Sequence, residues 1–494
     1  MKLPLRMGVA LMLGLLFAAN CYRAATQAVT HDEALTWQIY LDAPVSNIFD
    51  VYDANHHFLA TILERLSTGL FGTSELSLRL PSLLAGALFF LAVYRLAFLI
   101  FGGGWLVPLA VLLMAANPLV LDFLVAARGY GLALALFFYS LLKMVECLAR
   151  RGRRDLYLAG TALALAPAAN LTLLVPALVL AALFGYLLWR APAPAVPAKR
   201  TKKHALPAAA PRLRHFVLPL GAVALLFFLA APFSKAHLSD FYVGTDSPAA
   251  SVRNLIACSF AYHDSANSVL AGWRAALAIL PPAVALLAAA LGAARVFRAG
   301  RERKPPVLPD AVLFLAGGAM AGSAALLVAL HYAVDMPYPS DRTGLYFLPL
   351  AGLALATLAK SAGRIPGLAA AVVGALIAAQ YLVQWNTSSF YVWRYEADSK
   401  RILELVEGAP RGTAPLRAGI SWQLEPAFNF YRTVRRWTWL APFDRSGPDG
   451  DYDIYVLISN DGALVARRAL RVLYRGRVSG TVLAAPGQPR AGNW

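Results

Sequence analysis

The chain has 494 residues, 59% of them apolar and only 15% charged, with a net charge of +18 and a mean hydropathy of +0.56. Ordinary soluble domains are about a quarter charged, so a soluble globular enzyme is excluded, and the same numbers exclude a disordered chain. The three cysteines, Cys21, Cys147 and Cys258, stand far apart with no His or Cys cluster beside them, which fits neither a disulfide framework nor a zinc site.

Apolar stretches long enough to cross a bilayer fall near 5–21, 81–101, 104–123, 129–148, 156–190, 216–233, 270–294, 311–332, 344–359 and 367–385. The fifth is too long for one crossing: as a single helix it would reach roughly 52 Å against a hydrocarbon core of about 30 Å. Pro167, Asn170 and Pro176 supply a break, so it is read as two spans. Basic residues test that split. Arg150, Arg151, Arg153 and Arg154 precede the stretch, and Arg190, Lys199, Arg200, Lys202, Lys203, Arg212 and Arg214 follow it. Both flanks are therefore expected inside, which requires an even number of crossings between them.

The expected architecture is an all-α polytopic membrane domain over 1–385, with about eleven transmembrane helices. It places the N-terminus inside and the remainder after 385 outside the membrane. Predicted inner segments hold 20 Lys and Arg, and predicted outer loops hold eight. The positive charge is thus mostly topological, a set of anchors on anionic membrane lipids, and nucleic acid is excluded as a partner. Residues 1–22 have features of a signal peptide but are read as a span, since Asn20 is a poor residue before a lipoprotein-type cleavage at Cys21. Residues 191–215, basic and proline-rich, read as a cytoplasmic linker. Beyond Trp385 the chain carries 15 basic and 10 acidic residues and no long apolar run. A polar helix at 395–407, a strand at 416–421, a helix at 422–431 and the apolar run from Tyr452 predict a small α/β outer domain over 386–494.

Ionisable residues that do not mark inner loops gather on the outer side. The first outer loop, 23–80, contains Thr30-His31-Asp32-Glu33. Thr30 with Glu33 three residues on is a capping box, which gives Glu33 a complete structural explanation. Asp32 in the same first turn gains from the helix dipole; that dipole also keeps it ionised, as a carboxylate accepting a hydroxyl proton must be. Asn55-His56-His57 opens a second, amphipathic helix to about Leu70 that suits the interface, with Asn55 as its expected N-cap. Adjacent histidines point about 100° apart on a helix, so they are a poor chelating pair; a hydrogen bond to substrate or a plain interfacial role is expected of each. Arg128-Gly129-Tyr130-Gly131 sits where one span gives way to the next: the arginine either grips a lipid phosphate or snorkels beside an interfacial tyrosine. Asp122, two turns earlier, is either a second acidic site residue or an ordinary end-of-helix carboxylate, and Arg342 offers a second cation with the same ambiguity as Arg128. Lys143 with Glu146, and Arg95, near predicted inner helix ends, read as ion pairing and snorkelling. No nucleotide-binding loop appears.

Together, His31-Asp32-Glu33, Asn55-His56-His57, Glu75-Leu-Ser-Leu-Arg79-Leu-Pro-Ser82 with Gly86, and Ala127-Arg128-Gly129-Tyr130 resemble the integral-membrane C-type (GT-C) glycosyltransferases. The nearest relatives look like bacterial homologues of protein O-mannosyltransferases and of the lipid A aminoarabinose transferase. The resemblance covers roughly residues 1–190, weakens over 320–360 and is loose for the outer domain. It implies a transferase that takes a sugar from a polyprenyl-phosphate donor at the outer membrane face and inverts the anomeric centre. Asp32 falls on the position of the family's catalytic base, with Glu33 completing the pair. Arg128 and Arg342 would hold the phosphate, and His56, His57, Glu75, Arg79 and Tyr130 would line the substrate site. Two positions depart from the pattern: Val125 and Ala126 replace a Gln-Glu pair, leaving Asp122 as candidate second carboxylate, and His57 replaces a proline. No cofactor is expected; some relatives use a divalent cation, but no ligand set here supports one. A transporter or flippase of a lipid-linked sugar is the competing reading. The sugar and the acceptor, whether protein, lipid or polysaccharide, are not legible.

Overall fold

The computed structural model describes residues 2–150, 152–190, 211–237, 240, 242–260, 262, 274–408 and 413–487. Helix α1 (Lys2–Thr26) leads into a loop holding three short elements: α2 (His31–Thr36), continued by a π-helical turn, then α3 (Asn47–Asp50) and α4 (Phe58–Phe71). The bundle continues with α5 (Glu75–Phe101), α6 (Leu106–Ala115), α7 (Pro118–Phe123), α8 (Tyr130–Arg150), α9 (Arg153–Ala169), α10 (Leu174–Arg190) and α11 (Pro211–Ala230). It closes with α12 (Pro248–Phe260), α13 (Arg274–Arg301), α14 (Leu308–Val334), α15 (Phe347–Ser361) and α16 (Arg364–Gln384).

Among the described residues nine helices are long and apolar enough to cross a membrane. Two further expected spans coincide with shorter helices, the pair α6–α7 broken at Asn117-Pro118, and α9. The expected double crossing at 156–190 is built as two helices, and the break falls at Asn170 alone. That residue leaves helical geometry (φ −161°, ψ 124°) and caps the next turn, its side-chain oxygen accepting from the Thr172 amide, while Pro167 stays inside α9. Gly292 and Gly317 let α13 and α14 touch backbone to backbone: a Cβ on either would lie 2.4 Å from a backbone nitrogen of the other helix. Of the expected linker 191–215, residues 191–210 lie outside the described residues, and 211–215 already belong to α11.

Two boundaries differ from expectation. The first loop ends earlier, because Ser74 and Ser77 form a capping box that starts α5 at Glu75 and so carries Glu75 and Arg79 onto a helix. Asn55 does not cap α4; His57 occupies that position without a side-chain cap bond. The amphipathic reading of α4 stands: Ala60, Thr61, Glu64 and Ser67 are buried while Leu66, Leu70 and Phe71 are exposed.

The C-terminal domain comprises α17 (Ser399–Glu407), β1 (Ala418–Ile420), α18 (Glu425–Val434), β2 (Ile454–Leu457), α19 (Ala463–Arg467), β3 (Leu470–Arg475) and β4 (Val482–Pro486). Its sheet runs β1-β2-β4-β3, with β1 parallel to β2 and the other pairs antiparallel. Its hydrophobic core does not stop at the domain edge. Ala28, Val29, Ala34 and Trp37 of the first loop, Leu78 of α5 and Ala127 pack into the same cluster as Phe428, Phe430 and Ile454. The domain therefore clamps the segment on which Asp32 sits.

Candidate functional site

Helix α2 begins as the sequence predicts. Thr30 Oγ1 accepts from the Glu33 amide at 3.3 Å, and the Glu33 carboxylate accepts from the Thr30 amide at 2.9 Å. The two acids of this turn then separate. Glu33 is closed in: Arg79 donates through Nε to Oε1 at 2.9 Å and through Nη2 to Oε2 at 2.7 Å, and the Ala127 amide donates to Oε1 at 2.7 Å. Burial alone would raise the Glu33 pKa, but Arg79 and these amides hold it below the ordinary value. Arg79 also donates to the carbonyls of Ala24, Gln27 and Ala28. The catalytic role expected of Glu33 and the substrate role expected of Arg79 give way to a buried structural pair with no free lone pair on the carboxylate.

Asp32 faces the other way. Its side chain keeps 13% exposure, and its Oδ2 lies 3.4 Å from Arg128 Nη2 and 3.9 Å from Arg342 Nη2. Among the described residues that oxygen accepts no hydrogen bond. Desolvation pushes its carboxyl up, yet the two guanidiniums, His31 and a hydrogen bond from Trp393 outweigh it and leave Asp32 ionised below the usual range.

Arg128 is placed by a sharp turn. Gly129 has φ +67°, and a Cβ there would lie 2.4 Å from the Ala169 carbonyl and 2.7 Å from His57 Cβ. The guanidinium donates to Thr36 Oγ1 at 3.2 Å and to Asn55 Oδ1 at 2.7 Å, which is the work Asn55 does instead of capping. Arg342 arrives from a 3-10 turn (Asp341–Gly344) whose approach is fixed by Asn254 accepting from the Asp341 amide at 2.6 Å. It lies beside the Tyr130 hydroxyl. The Nε of both arginines is buried and unpartnered among the described residues.

The histidines complete the wall. His57 Nδ1 contacts Asn170 Nδ2 at 3.2 Å, and its ring meets Tyr130 edge-on at 5.1 Å. His56 stacks on Tyr40 at 4.4 Å. Burial lowers both: His56 to about 4, and His57, with Arg128 adding repulsion, well below its ordinary value. Each is thus neutral at pH 7 and leaves a buried Nε2 without a partner among the described residues. Unpaired groups of Asp32, Arg128, Arg342 and His57 therefore share one locality, the pattern of a site that a polar ligand completes, while His56 packs among Tyr40, Tyr52 and Phe58.

Glu75 and Asp122 stand apart from it. Glu75 accepts from Tyr431 at 2.9 Å and from Lys400 at 3.0 Å, tying α5 to the C-terminal domain. Asp122 is bound by Arg23, by Tyr262 at 2.7 Å and by the Tyr391 amide at 2.8 Å. The second site carboxylate expected of Asp122 is thus replaced by a buried anchor between α7 and the segment entering the C-terminal domain. Arg23, counted in the sequence only as a loop charge, is its partner. Trp393 and Tyr395 gave no sequence signal, since they reach Asp32 from more than 360 residues away. Asn170 did give one, as a polar residue inside an apolar run. Near the other end of α8, Lys143 Nζ pairs with Glu146 at 2.7 Å as its spacing predicts, and Arg95, expected to snorkel, joins the same carboxylate at 2.5 Å. Among the described residues no group of three or more His, Cys, Asp or Glu is arranged to hold a metal ion.

Residues 55–211 match the family described as dolichyl-phosphate-mannose-protein mannosyltransferases. The match spans His56, His57, Glu75, Arg79, Asp122, Arg128 and Tyr130, and it agrees with the glycosyltransferase resemblance read from the motifs. No curated protein matches the sequence. Solved structures are similar to it. ArnT from Cupriavidus metallidurans, bound to undecaprenyl phosphate, is 16% identical over 97% of this chain and 98% of its own, with a TM-score of 0.43. The arabinofuranosyltransferase AftD from Mycobacteria is 14% identical over 84% of this chain and 30% of its own, at 0.40. The Archaeoglobus fulgidus oligosaccharyltransferase is 12% identical over 99% and 75%, at 0.41.

Proposed function

We propose that the chain is a membrane glycosyltransferase that moves a sugar from a polyprenyl-phosphate donor to an acceptor hydroxyl, inverting the sugar C1, with Asp32 as general base. The observation that carries this reading is an ionised carboxylate with an unoccupied oxygen, flanked by two arginines whose Nε groups are also unoccupied. A phosphate held between Arg128 and Arg342 would draw on the same positive charge that now lowers the Asp32 pKa. Donor binding would thereby make Asp32 more basic at the moment a base is required. The acceptor oxygen then forms a bond to C1 as the bond from C1 to the phosphate oxygen breaks. The hydroxyl proton goes to Asp32, and the electron pair leaves on polyprenyl phosphate, where the arginines stabilise the departing charge. Neutral His57 can donate through Nε2 without opposing that chemistry.

An apolar cavity of about 440 Å³ supports the lipid part of the donor. Ser251 and Leu255 of α12, Tyr338, Pro339 and Phe347 are among its lining, and Pro339 lies three residues before Arg342. Its volume is in the range of ligand pockets, and its lining is that of a hydrocarbon chain. The distribution of Lys and Arg supports placing this face outside the membrane.

The test is sugar transfer from synthetic polyprenyl-phosphate monosaccharides by the wild type and by Asp32→Asn in proteoliposomes. Transfer by the wild type and a loss on the order of 10³-fold in the variant, with donor binding unchanged, is expected. Equal transfer by both would remove Asp32 from the chemistry; movement of the lipid across the bilayer with no transfer would favour a flippase.

A further inference from the structure

We infer that the rim formed by Trp422, Gln423, Glu425 and Arg445 of the C-terminal domain is the acceptor subsite, and that the acceptor is a saccharide hydroxyl; this rests on the transferase reading. Most large aromatic residues of that domain are buried, Phe428, Phe430, Tyr431 and Trp437 among them, whereas Trp422 is 48% exposed. It is nonetheless held in place. Its ring meets the His31 ring edge-on at 5.7 Å, and the carbonyl of the next residue, Gln423, contacts His31 Nδ1 at 2.6 Å. His31 immediately precedes Asp32, so an indole face is fixed at the margin of the general base.

The surroundings of that face are polar. The Arg445 guanidinium lies over one face of the Trp422 ring, 5.5 Å from its centroid, and is held 3.9 Å from the carboxylate of Glu425, a buried residue that also accepts from Asn429. Gln423 Oε1 is buried with no hydrogen-bond partner among the described residues. A pyranose offers one apolar C–H face and a rim of hydroxyls. The open face of the indole matches the first, and the guanidinium that Glu425 holds at its margin, with the unpaired Gln423 amide oxygen, matches the rim. A lipid tail would need continuous apolar surface, whereas the side chains found against the Trp422 ring are those of His31 and Arg445. A serine or threonine side chain has no flat face for the indole to cover.

The experiment uses full-length protein in proteoliposomes with a radiolabelled polyprenyl-phosphate sugar. The acceptors offered in parallel are delipidated, deproteinised bacterial envelope glycans, an envelope lipid extract and Ser/Thr peptides. Label entering the glycan fraction through a new sugar–sugar linkage is expected. Trp422→Ala should raise the glycan concentration for half-maximal rate roughly tenfold, with the rate at saturation and donor binding unchanged, and Trp422→Phe should recover part of the loss. Label entering only lipid or peptide, or a Trp422→Ala variant with unaltered glycan dependence, would overturn the subsite. Wild-type protein transferring to none of the three retires the transferase reading itself, and the subsite with it.

Discussion

The Arg79 guanidinium holds the Glu33 carboxylate in a two-point grip, 2.9 Å at one oxygen and 2.7 Å at the other, with both side chains wholly buried. Glu33 is thereby committed to architecture: it closes the start of α2, fixes the Ala127 amide and leaves its neighbour Asp32 as the carboxylate of this turn that keeps an oxygen without a hydrogen bond among the described residues.

Neutralising one side of that pair strands the other charge in the core. Glu33→Gln is expected to cost about 3–5 kcal/mol of stability. Detergent-solubilised protein should show a lower thermal midpoint and a reduced folded yield. Any transfer activity should fall with the folded fraction rather than beyond it. A variant as stable as the wild type but catalytically dead would instead place Glu33 in the chemistry.

Arg128 reaches Thr36, Asn55 and Asp32 from one planar fork, which a lysine ammonium cannot span. Arg128→Lys should therefore weaken donor binding by roughly 10- to 100-fold. Binding of a fluorescent polyprenyl phosphate reports this directly, and an unchanged affinity would assign the phosphate to other residues.

Gly129 and Gly72 both have positive φ, but only Gly129 is crowded, since nothing lies within 4 Å of a Cβ at position 72. Alanine at 72 bears backbone strain of about 1–3 kcal/mol. Alanine at 129 adds a collision with the Ala169 carbonyl. Thermal melts should show a clearly larger drop for Gly129→Ala; equal drops would mean that the turn relaxes away from His57 and α9.

Glu64 lies 2% exposed on α4, and burial pushes its carboxyl up to about 8. The folded chain keeps this proton up to that pH, whereas the unfolded chain releases it above about 4.3. Unfolding thus releases a proton, so this group's contribution to stability falls as pH rises from the unfolded value to about 8, and levels off above it. Glu64→Gln removes the dependence. Its thermal midpoint should match the wild type near pH 4 and exceed it by about 5 °C at pH 8.5. Parallel midpoints at both pH values would show that Glu64 ionises normally.

Local order was legible because local physics writes it. The capping box at Thr30–Glu33 is a spacing, the amphipathic α4 is a period, and the Asn170 break is a polar residue where a long apolar run must turn. The change of character after Trp385 is a change of composition. Where local cues competed, the sequence was ambiguous. Asn55 is a good cap by type, yet a charge-assisted bond to Arg128 claims its side chain and leaves the cap to His57.

What the sequence by itself determined was the helical membrane architecture, the small α/β domain beyond it, and the turn that carries Asp32. Only the tertiary structure decided which acid remains available. Glu33, Glu75 and Asp122 are as acidic by composition as Asp32, but each meets committed partners: Arg79 and Ala127, Tyr431 and Lys400, Arg23 and Tyr262. Asp32 instead meets Arg342 from the far side of the bundle and, through His31, the Trp422 rim of the C-terminal domain. A lone pair is free or spent according to the groups that packing brings to it, and those groups lie tens to hundreds of residues away in the chain.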